Sequence, residues 1–265
     1  MNNQLAKILT IAGSDSGGGA GIQGDIKTIS SLGGYATSAI TAITAQNTLG
    51  VKGILNISVD MIEKQVIAIL EDIGADAIKI GMLSNEEIIN CIVKLLSNTN
   101  KNIPIVLDPV MVAKGGHKLL DTGAEKALIN KLLPLCTIIT PNIPEAEVIT
   151  GSKINNTSDL ETVGKSIIDM GIDNVLMKGG HLNSLQLTDI LITKNKIKYF
   201  KNKKIITKNS HGTGCTLSSA IACGLGQKLT LKKAVQRAHL YVYKSILNAP
   251  DIGKGNGPLN HLIKV

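Results

Sequence analysis

The chain has 265 residues, which is enough for one large α/β domain or two small ones with a core of their own. Hydrophobic residues make up 43% and charged residues 18%, which excludes a disordered or fibrous chain, and because no linker or repeat appears we predict one domain over residues 1–265. The net charge of +8 raises the question of nucleic acid, but aromatic residues are only 2% and Trp is absent, so bases would find few stacking surfaces and we predict no nucleic-acid partner.

Short apolar runs rich in Ile and Val alternate with segments of helical period along the chain. This pattern is typical of an α/β fold with a central, mostly parallel sheet flanked by helices. Predicted strands cover 5–12, 36–45, 76–81, 103–107, 136–140, 173–177, 188–193 and 196–200. Predicted helices cover 20–32, 60–72, 85–97, 122–132, 157–170, 213–226 and 230–247, with Asp60 and Ser84 as expected N-caps.

The first predicted strand is much shorter than a membrane span and runs directly into a glycine-rich loop. We therefore interpret it as a strand, not as a signal peptide or a membrane anchor. The four cysteines, at 91, 136, 215 and 223, contain no CxxC pair, which argues against a disulfide framework and for the cytoplasm. The five histidines lack the spacing of zinc ligands.

The loop at residues 13–25 contains a GxGxxG pattern between a strand and a helix. A dinucleotide-binding interpretation would need an acidic residue about 20 positions further on, yet no Asp or Glu lies between Ile26 and Val59. The glycines still allow a ligand to approach the backbone closely. Asp25, one turn into the helix, either points at such a ligand or only favours the helix N-terminus.

Polar residues follow several later strands, at the edge of the sheet where ligands of open α/β folds bind. They are Gln46, Asp108, Asn142, Glu145 and Lys178. The carboxylates of Asp108 and Glu145 could hold Mg²⁺ directly or through water, although either could instead form a turn or a cap. The Lys178 ammonium could reach phosphate oxygens, or it could extend along the surface into solvent.

Seven lysines lie between 194 and 208 and alternate with apolar residues. This alternation is typical of the solvent face of a β-hairpin, where lysines also discourage pairing with other sheet edges. We therefore attribute the excess positive charge of this region to a hairpin.

Residues 211–215 read His-Gly-Thr-Gly-Cys and open into a helix that begins near Gly214. The first amides of a helix have no helical partner and lie at the positive end of its dipole, so the segment is suited to an anion. No GxxxxGK pattern occurs, which excludes a Walker loop. A plain glycine turn before a core helix is the alternative. We call residues 211–215 the anion segment.

Cys215 lies on the first turn of that helix, where the dipole is expected to lower the pKa of its thiol and to make it a proton acceptor. The alternative is an inert buried cysteine, the more common case in proteins and the role that we assign to Cys223.

Seven segments together resemble the ribokinase-like superfamily and, within it, the hydroxymethylpyrimidine/phosphomethylpyrimidine kinases of thiamine biosynthesis. They occur in the family's order over essentially the whole chain: 10–23, 42–48, 79–83, 108–111, 140–146, 177–181 and 211–215. The resemblance implies a ribokinase-like fold, ATP with Mg²⁺ as the phosphoryl donor system, a hydroxymethylpyrimidine substrate and a homodimer.

The resemblance also implies roles for the matching residues. The pyrimidine site would be formed by Gln46, Asp25, Ala20, Met82 and Pro109. ATP would be bound by Asn142, Lys178 and Thr213, and the metal by Asp108 and Glu145. Transfer would take place at Gly212, Thr213, Gly214 and Cys215, where most related sugar kinases have Asp in place of Cys215.

Pyridoxal kinases of the same superfamily share the cysteine-containing segment and are the nearest alternative. Gln46 favours the pyrimidine substrate, because its amide offers both a donor and an acceptor to an aminopyrimidine edge. An NAD-dependent oxidoreductase is the non-kinase alternative, and the missing acidic residue after the first helix argues against it.

Overall fold

A twisted sheet lies at the centre of the computed structural model, which describes residues 5–100, 102–112, 116–121 and 123–265. Within these residues the sheet has nine strands, in the order β3-β2-β1-β4-β5-β6-β7-β8-β9. Their bounds are β1 Lys7–Asp15, β2 Tyr35–Asn47, β3 Gly50–Asn56, β4 Ala77–Ile80, β5 Ile105–Leu107, β6 Ile138–Ile139, β7 Asn174–Met177, β8 Gln186–Thr193 and β9 Ile197–Lys203. Neighbours from β2 to β7 are parallel, whereas β3, β8 and β9 pair antiparallel.

Helices cover both faces of the sheet. They are α1 Gly21–Ser31, α2 Val59–Ala68, α3 Glu86–Ser97, α4 Ala124–Ala127, α5 Ile143–Thr150, α6 Thr157–Asp169, α7 Thr213–Gly226 and α8 Leu231–Leu247. Side chains of a strand alternate between faces, so Ile78 and Ile80 of β4 pack in one core with α2 and α3, while Ala77 packs in the other with α7 and α8. The predicted α/β architecture, with a central, mostly parallel sheet flanked by helices, is confirmed.

The eight predicted strands are present with shifted ends, but the sequence analysis missed β3 and α5. β3 is an exposed edge strand with glycines at 50 and 53, so it has neither the apolar run nor the alternation of a buried strand. α5 is short and begins at Ile143–Pro144, and its first residues were interpreted as ligand-binding rather than helical. The predicted helix 122–132 corresponds to α4 and the π-helical turn Leu128–Leu132, with Thr122 outside the described residues.

The two expected N-caps were wrong by one or two positions. Ser58, not Asp60, caps α2, and Asn85, not Ser84, caps α3 by accepting a hydrogen bond from the Ile88 amide at 2.9 Å. An N-cap must have extended backbone before the first helical residue. Asp60 is already inside the first turn of α2.

The lysine-rich region forms the β8–β9 hairpin, as predicted. β9 is the edge strand of the sheet, and Lys198, Lys201 and Lys203 on it are exposed, while Phe200 turns inward. The helices that the structure describes include none with the length and apolarity of a membrane span.

The segment after α8, residues 249–265, runs back over the edge of the sheet, and we call it the C-terminal strap. Its Asn256 amide donates to the Thr48 carbonyl at 2.8 Å, and its Gly257 carbonyl accepts from the His211 amide at 3.0 Å. Further along, the carbonyl of His261 accepts from the Tyr241 hydroxyl at 2.7 Å. The strap thus joins the β2–β3 turn to the start of α7.

Candidate active site

A cavity of about 820 Å³ opens at the carboxyl ends of the parallel strands. Most of the site residues predicted from the sequence lie in its wall: Ala20, Gln46, Met82, Asp108, Asn142, Glu145, Lys178, Gly212, Thr213, Gly214 and Cys215. They come from separate elements, and parallel strands bring them to one edge of the sheet. We refer to the two sides of the cavity as the Gln46 end and the Lys178 end.

The anion segment connects the two ends. Gly212 precedes α7 with a φ of 85°, and the first helical hydrogen bond runs from the Thr216 amide to the Gly212 carbonyl at 2.9 Å. Thr213, Gly214 and Cys215 precede that bond and line the cavity, so their amides have no partner within the helix. The Thr213 hydroxyl donates to the Ser210 carbonyl at 2.5 Å, so it is the amide of Thr213 that is available to an anion.

Close approach makes one glycine of this segment obligatory and restricts the space at a second. A Cβ on Gly212 would lie 1.8 Å from the Gly19 carbonyl oxygen, which no side chain can tolerate. A Cβ on Gly214 would lie 3.2 Å from both Asp108 Oδ2 and Lys178 Nζ. The segment therefore packs against the glycine-rich loop on one side and the charged cluster on the other.

Asp15, which the sequence analysis did not single out, organises the glycine-rich loop. Its carboxylate accepts from the amides of Gly17, Gly19 and Ala20 at 2.8–3.0 Å. Its Oδ2 also lies 2.8 Å from His211 Nε2. Burial raises the pKa of Asp15, but the hydrogen bonds from His211, Ala20 and Gly17 outweigh it and the net pKa is lowered. Asp15 therefore stays ionised and ties the loop to the anion segment.

Gln46 is held at its end of the cavity by this arrangement. Its Oε1 is 3.3 Å from the Thr44 hydroxyl, and its Nε2 is 3.4 Å from His211 Nε2. Because His211 Nε2 must carry the proton that it donates to Asp15, it cannot accept from Gln46. The Gln46 amide thus keeps a hydrogen bond for a ligand.

Lys178 binds two buried carboxylates at its end of the cavity. Its Nζ is 2.8 Å from Asp108 Oδ1 and 3.9 Å from Glu145 Oε2. Burial lowers the pKa of Lys178, but Asp108 and Glu145 raise it to about 12, so the ammonium stays charged. Burial raises the pKa of Glu145 to about 7. The positive charge of Lys178 lowers this pKa, whereas the negative charge of Asp108 raises it further.

Asn142 and Glu145 form a capping box at the start of α5. The Asn142 side chain accepts from the Glu145 amide at 2.9 Å, and Glu145 Oε2 accepts from the Asn142 amide at 2.8 Å. Of the two alternatives for Glu145, the cap is therefore realised, and because the same side chain also lines the cavity, its role as a Mg²⁺ ligand stays a prediction.

The expected lowering of the Cys215 pKa was wrong. Burial raises the pKa of its thiol to about 11, and the opposing positive charge of Lys79 is itself offset by Asp25 and Asp108. The helix position alone suggested a lowered pKa, because the neighbouring carboxylates come from distant parts of the chain. Cys215 is partly exposed, whereas Cys91, Cys136 and Cys223 are buried.

Two residues predicted for the substrate site do not line the cavity. Asp25 is 0% exposed and lies behind the cavity wall, because it faces the core side of α1 and binds Thr10, Lys79 and Ser219. Pro109 is buried too, and its neighbours Asp108 and Val110 form the wall in its place.

A second pair that the sequence analysis missed lies in the wall formed by β8 and α8. His239 Nε2 is 2.9 Å from Asp189 Oδ2, and the His239 ring stacks on Phe200 with ring centroids 5.1 Å apart. The other Asp189 oxygen accepts from the Gly179 amide at 2.8 Å, next to Lys178. These residues lie up to 60 positions apart in the sequence and form no local motif.

Comparison with known proteins agrees with this geometry. A family model described as phosphomethylpyrimidine kinase matches residues 15–260. Two curated relatives are a hydroxymethylpyrimidine/phosphomethylpyrimidine kinase of Rhizobium meliloti, 44% identical with 96% of each chain covered, and a thiamine biosynthesis bifunctional protein of Geobacter sulfurreducens, 45% identical. The chain spans 52% of the length of the bifunctional protein.

Solved structures show the same fold. A phosphomethylpyrimidine kinase of Clostridium difficile is 48% identical and has a TM-score of 0.81, covering 91% of this chain and 99% of its own. A pyridoxal kinase of Bacillus subtilis in complex with ADP is 34% identical and has a TM-score of 0.90, covering 97% and 98%. The match to the family model over most of the chain, together with these identities, shows that the chain belongs to the phosphomethylpyrimidine kinase family.

Proposed function

We propose that the protein transfers a phosphoryl group from ATP to 4-amino-5-hydroxymethyl-2-methylpyrimidine and then to the resulting monophosphate, in the biosynthesis of thiamine. The proposal rests on one cavity in which the anion segment connects two ends. The Gln46 side-chain amide keeps a hydrogen bond for a ligand at one end, and the lysine–carboxylate cluster lies at the Lys178 end. The Rhizobium meliloti relative is named as a kinase of both acceptors.

The Gln46 end binds the pyrimidine. The free hydrogen bond of the Gln46 amide is available to the aminopyrimidine edge, and Met82 provides an apolar surface against the ring. Ala20, at the start of α1, leaves room for the ring beside the loop that Asp15 holds. The substrate alcohol then points towards the anion segment.

The Lys178 end binds ATP. Lys178 provides a fixed positive charge for the phosphates, Asn142 lies beside it, and the amides of Thr213 and Gly214 face the group in transfer. The phosphates of ATP are bound by the amides at the start of a helix, since the sequence contains no Walker loop.

Asp108 and Glu145 fit Mg²⁺. This ion takes one or two protein carboxylates and completes its shell with water and substrate phosphates, so the two cavity carboxylates are a sufficient donor set. Asp108 Oδ1 binds Lys178 and Thr140, while Oδ2 has no hydrogen-bond partner among the described residues and faces Gly214. Bound there, Mg²⁺ would neutralise phosphate charge during transfer.

The two acceptors place different demands on Cys215. The alcohol must lose a proton, and a Cys215 thiolate can accept it. The monophosphate has a second pKa of about 6, so it is largely anionic at neutral pH and needs no base. For both acceptors, the loose transition state of phosphoryl transfer makes positioning and charge stabilisation the larger contributions.

We also propose that one domain carries the whole reaction, that the protein acts in the cytoplasm and that it forms a homodimer. The first is supported by the lining of the cavity, to which residues from both halves of the chain contribute. The four free cysteines fit a reducing compartment. Exposed apolar residues near one sheet edge suit a second copy: Tyr35, Ile43, Leu49, Leu55 and Met61.

The test is ATP consumption with hydroxymethylpyrimidine, its monophosphate and pyridoxal measured in parallel. We expect turnover of both pyrimidines, and Gln46→Ala should raise KM for the pyrimidine without changing KM for ATP. Turnover of pyridoxal alone would instead support the pyridoxal kinase alternative. The chain is similar to a pyridoxal kinase structure with a TM-score of 0.90. No turnover of either pyrimidine would contradict the proposal.

A further inference from the structure

Lys79 is a fully buried lysine in the middle of the sheet, and it has no role in the reaction proposed above. It lies on β4, its side chain is 0% exposed to solvent, and its Nζ is 2.8 Å from Asp25 Oδ2. Asp25 is also 0% exposed, and it accepts from the hydroxyls of Thr10 and Ser219, each at 2.5 Å. Four elements, β1, β4, α1 and α7, thus converge on one ion pair.

Such a pair needs an explanation, because taking two charges out of water costs several kcal/mol per ion, and apolar residues of similar volume are often as stabilising. Burial lowers the pKa of Lys79, but Asp25 raises it strongly and Cys215 and Asp108 raise it further, so the ammonium stays charged. Lys79 is therefore a permanent cation in the wall of the cavity.

The pair lies next to Cys215. Ser219, which binds Asp25, is four residues after Cys215 on α7, so the two side chains lie on the same face of the helix. Lys79 and Cys215 both line the cavity. The groups that act on the pKa of the Cys215 thiol are Lys79 from β4, Asp25 and the Gly21 amide from α1, and Asp108 after β5, and Cys215 in turn acts on the pKa of Lys178.

Of the two cations, Lys79 is the one assigned to the thiol. Lys178 also approaches the anion segment, since a Cβ on Gly214 would lie 3.2 Å from its Nζ, but it is bound to Asp108 at 2.8 Å and lies 3.9 Å from Glu145. Lys79 makes its one ion pair among the described residues with Asp25, which is itself shared with two hydroxyls. At the Cys215 sulfur, Lys79 is the cation whose charge opposes the effect of burial, and Asp25 and Asp108 offset part of that charge.

We propose that Lys79, held in place by Asp25, is a positioning residue for the first phosphorylation, where its ammonium stabilises the thiolate of Cys215. The inference rests on the proposed function, since it assigns a residue to the first of the two reactions. In that reaction the thiolate takes the proton of the substrate alcohol as the alcohol oxygen bonds to the γ-phosphorus. The bond from the γ-phosphorus to the bridging oxygen breaks, and ADP leaves with its electron pair.

The direct test is the pH dependence of Cys215 alkylation by iodoacetamide, followed at the Cys215 peptide by mass spectrometry. Only the thiolate reacts, so at about pH 8 the rate reports the thiolate fraction. An opposite charge nearby shifts a pKa by about 1–3 units, so Lys79→Met should slow alkylation by about tenfold or more and move the profile to higher pH. The matched control is Lys94→Met, whose exposed lysine binds Glu63 on the surface, and it should leave the rate unchanged.

Asp25→Asn separates electrostatics from packing. Loss of the aspartate charge should leave the alkylation rate unchanged or raise it, whereas a purely structural role would make Lys79→Met and Asp25→Asn act in the same direction. If Lys79→Met does not fold because Asp25 is left unpaired, the double variant Asp25→Asn/Lys79→Met replaces it, and slower alkylation is again expected. An unchanged or faster rate in the lysine variant that folds would overturn the proposal.

Kinetics provide the second readout. Lys79→Met should reduce kcat for the alcohol more than kcat for the monophosphate, and equal losses for both would overturn the proposal. Failure of the proposed function would look different, because the wild type would then turn over neither pyrimidine while the alkylation rates still report on Lys79.

Discussion

Gly212 has a φ of 85° and no room for a Cβ, since the Gly19 carbonyl oxygen would lie 1.8 Å away. We expect Gly212→Ala to destabilise the protein by more than the roughly 1–2 kcal/mol of left-handed backbone alone and to abolish transfer, because the anion segment must move away from the glycine-rich loop. Urea unfolding and ATP consumption measure both effects.

Gly171 provides the control for that substitution. Its φ is 95°, and a Cβ there would meet nothing within 4 Å. Gly171→Ala should therefore show the backbone penalty alone and keep full activity. Equal stability losses in the two variants would show that the contact with Gly19 is unimportant.

Cys215 is expected to matter mainly for the alcohol acceptor. Cys215→Ser removes a group that can accept a proton, so it should slow the first phosphorylation by about 10²-fold or more and the second much less. Each reaction is measured separately, with hydroxymethylpyrimidine or its monophosphate as the acceptor. Equal losses would argue against a base at this position.

The raised pKa of Cys215 leads to a pH dependence with a definite sign. With a pKa of about 11 the thiol is mostly protonated at neutral pH, and the thiolate fraction increases as the pH rises. The kcat/KM for the alcohol should therefore increase with pH through the alkaline range, while that for the monophosphate should not. A flat profile for the alcohol would show that the thiolate is not the active form.

The C-terminal strap is anchored on α7 by a buried histidine. His261 within it is buried, and its Nε2 is 3.1 Å from the Thr216 hydroxyl on α7. Burial, with a smaller contribution from the charge of Lys27, lowers the pKa of His261 to about 4. The strap is therefore docked with a neutral imidazole.

Acidification should weaken this docking. The unfolded chain binds a proton at His261 below about pH 6.5, whereas the folded chain does so only near pH 4, so stability is complete above about 6.5 and falls towards 4. The loss should be on the order of 3 kcal/mol. His261→Gln can still bond to Thr216 and should unfold in urea with a smaller difference between pH 7 and pH 5. The same difference as in the wild type would assign the acid sensitivity to other groups.

In the whole molecule, the two edges of the sheet differ in character. β9 exposes lysines, whereas the β3 edge exposes apolar residues, among them Leu55 at 66%. If a homodimer forms through the β3 edge, Leu55→Asp should convert it to a monomer in sedimentation velocity. Ile206→Asp, at an 88% exposed residue near the other edge, should leave the dimer intact. A dimer that survives Leu55→Asp would place the interface elsewhere.

Strand periodicity was enough to predict the α/β class and the positions of eight strands, because buried parallel strands are apolar runs that need no partner to be recognised. The same local logic located the anion segment, Gln46, Asp108, Glu145 and Lys178, since strand ends and helix starts are visible along the chain. It missed β3, whose pairing with β2 rather than its own composition makes it a strand.

Tertiary structure decided which of these groups meet. Asp25 was expected at the ligand, but packing of α1 turns it towards Lys79 and Ser219. The Cys215 pKa was expected to fall with the helix dipole, but burial and carboxylates from α1 and β5 raise it. Charge interactions depend on distance through space and on exclusion of water, and neither is written in the local sequence. The order of residues therefore indicated an anion site before a helix, and only the fold showed a raised thiol pKa beside a buried lysine.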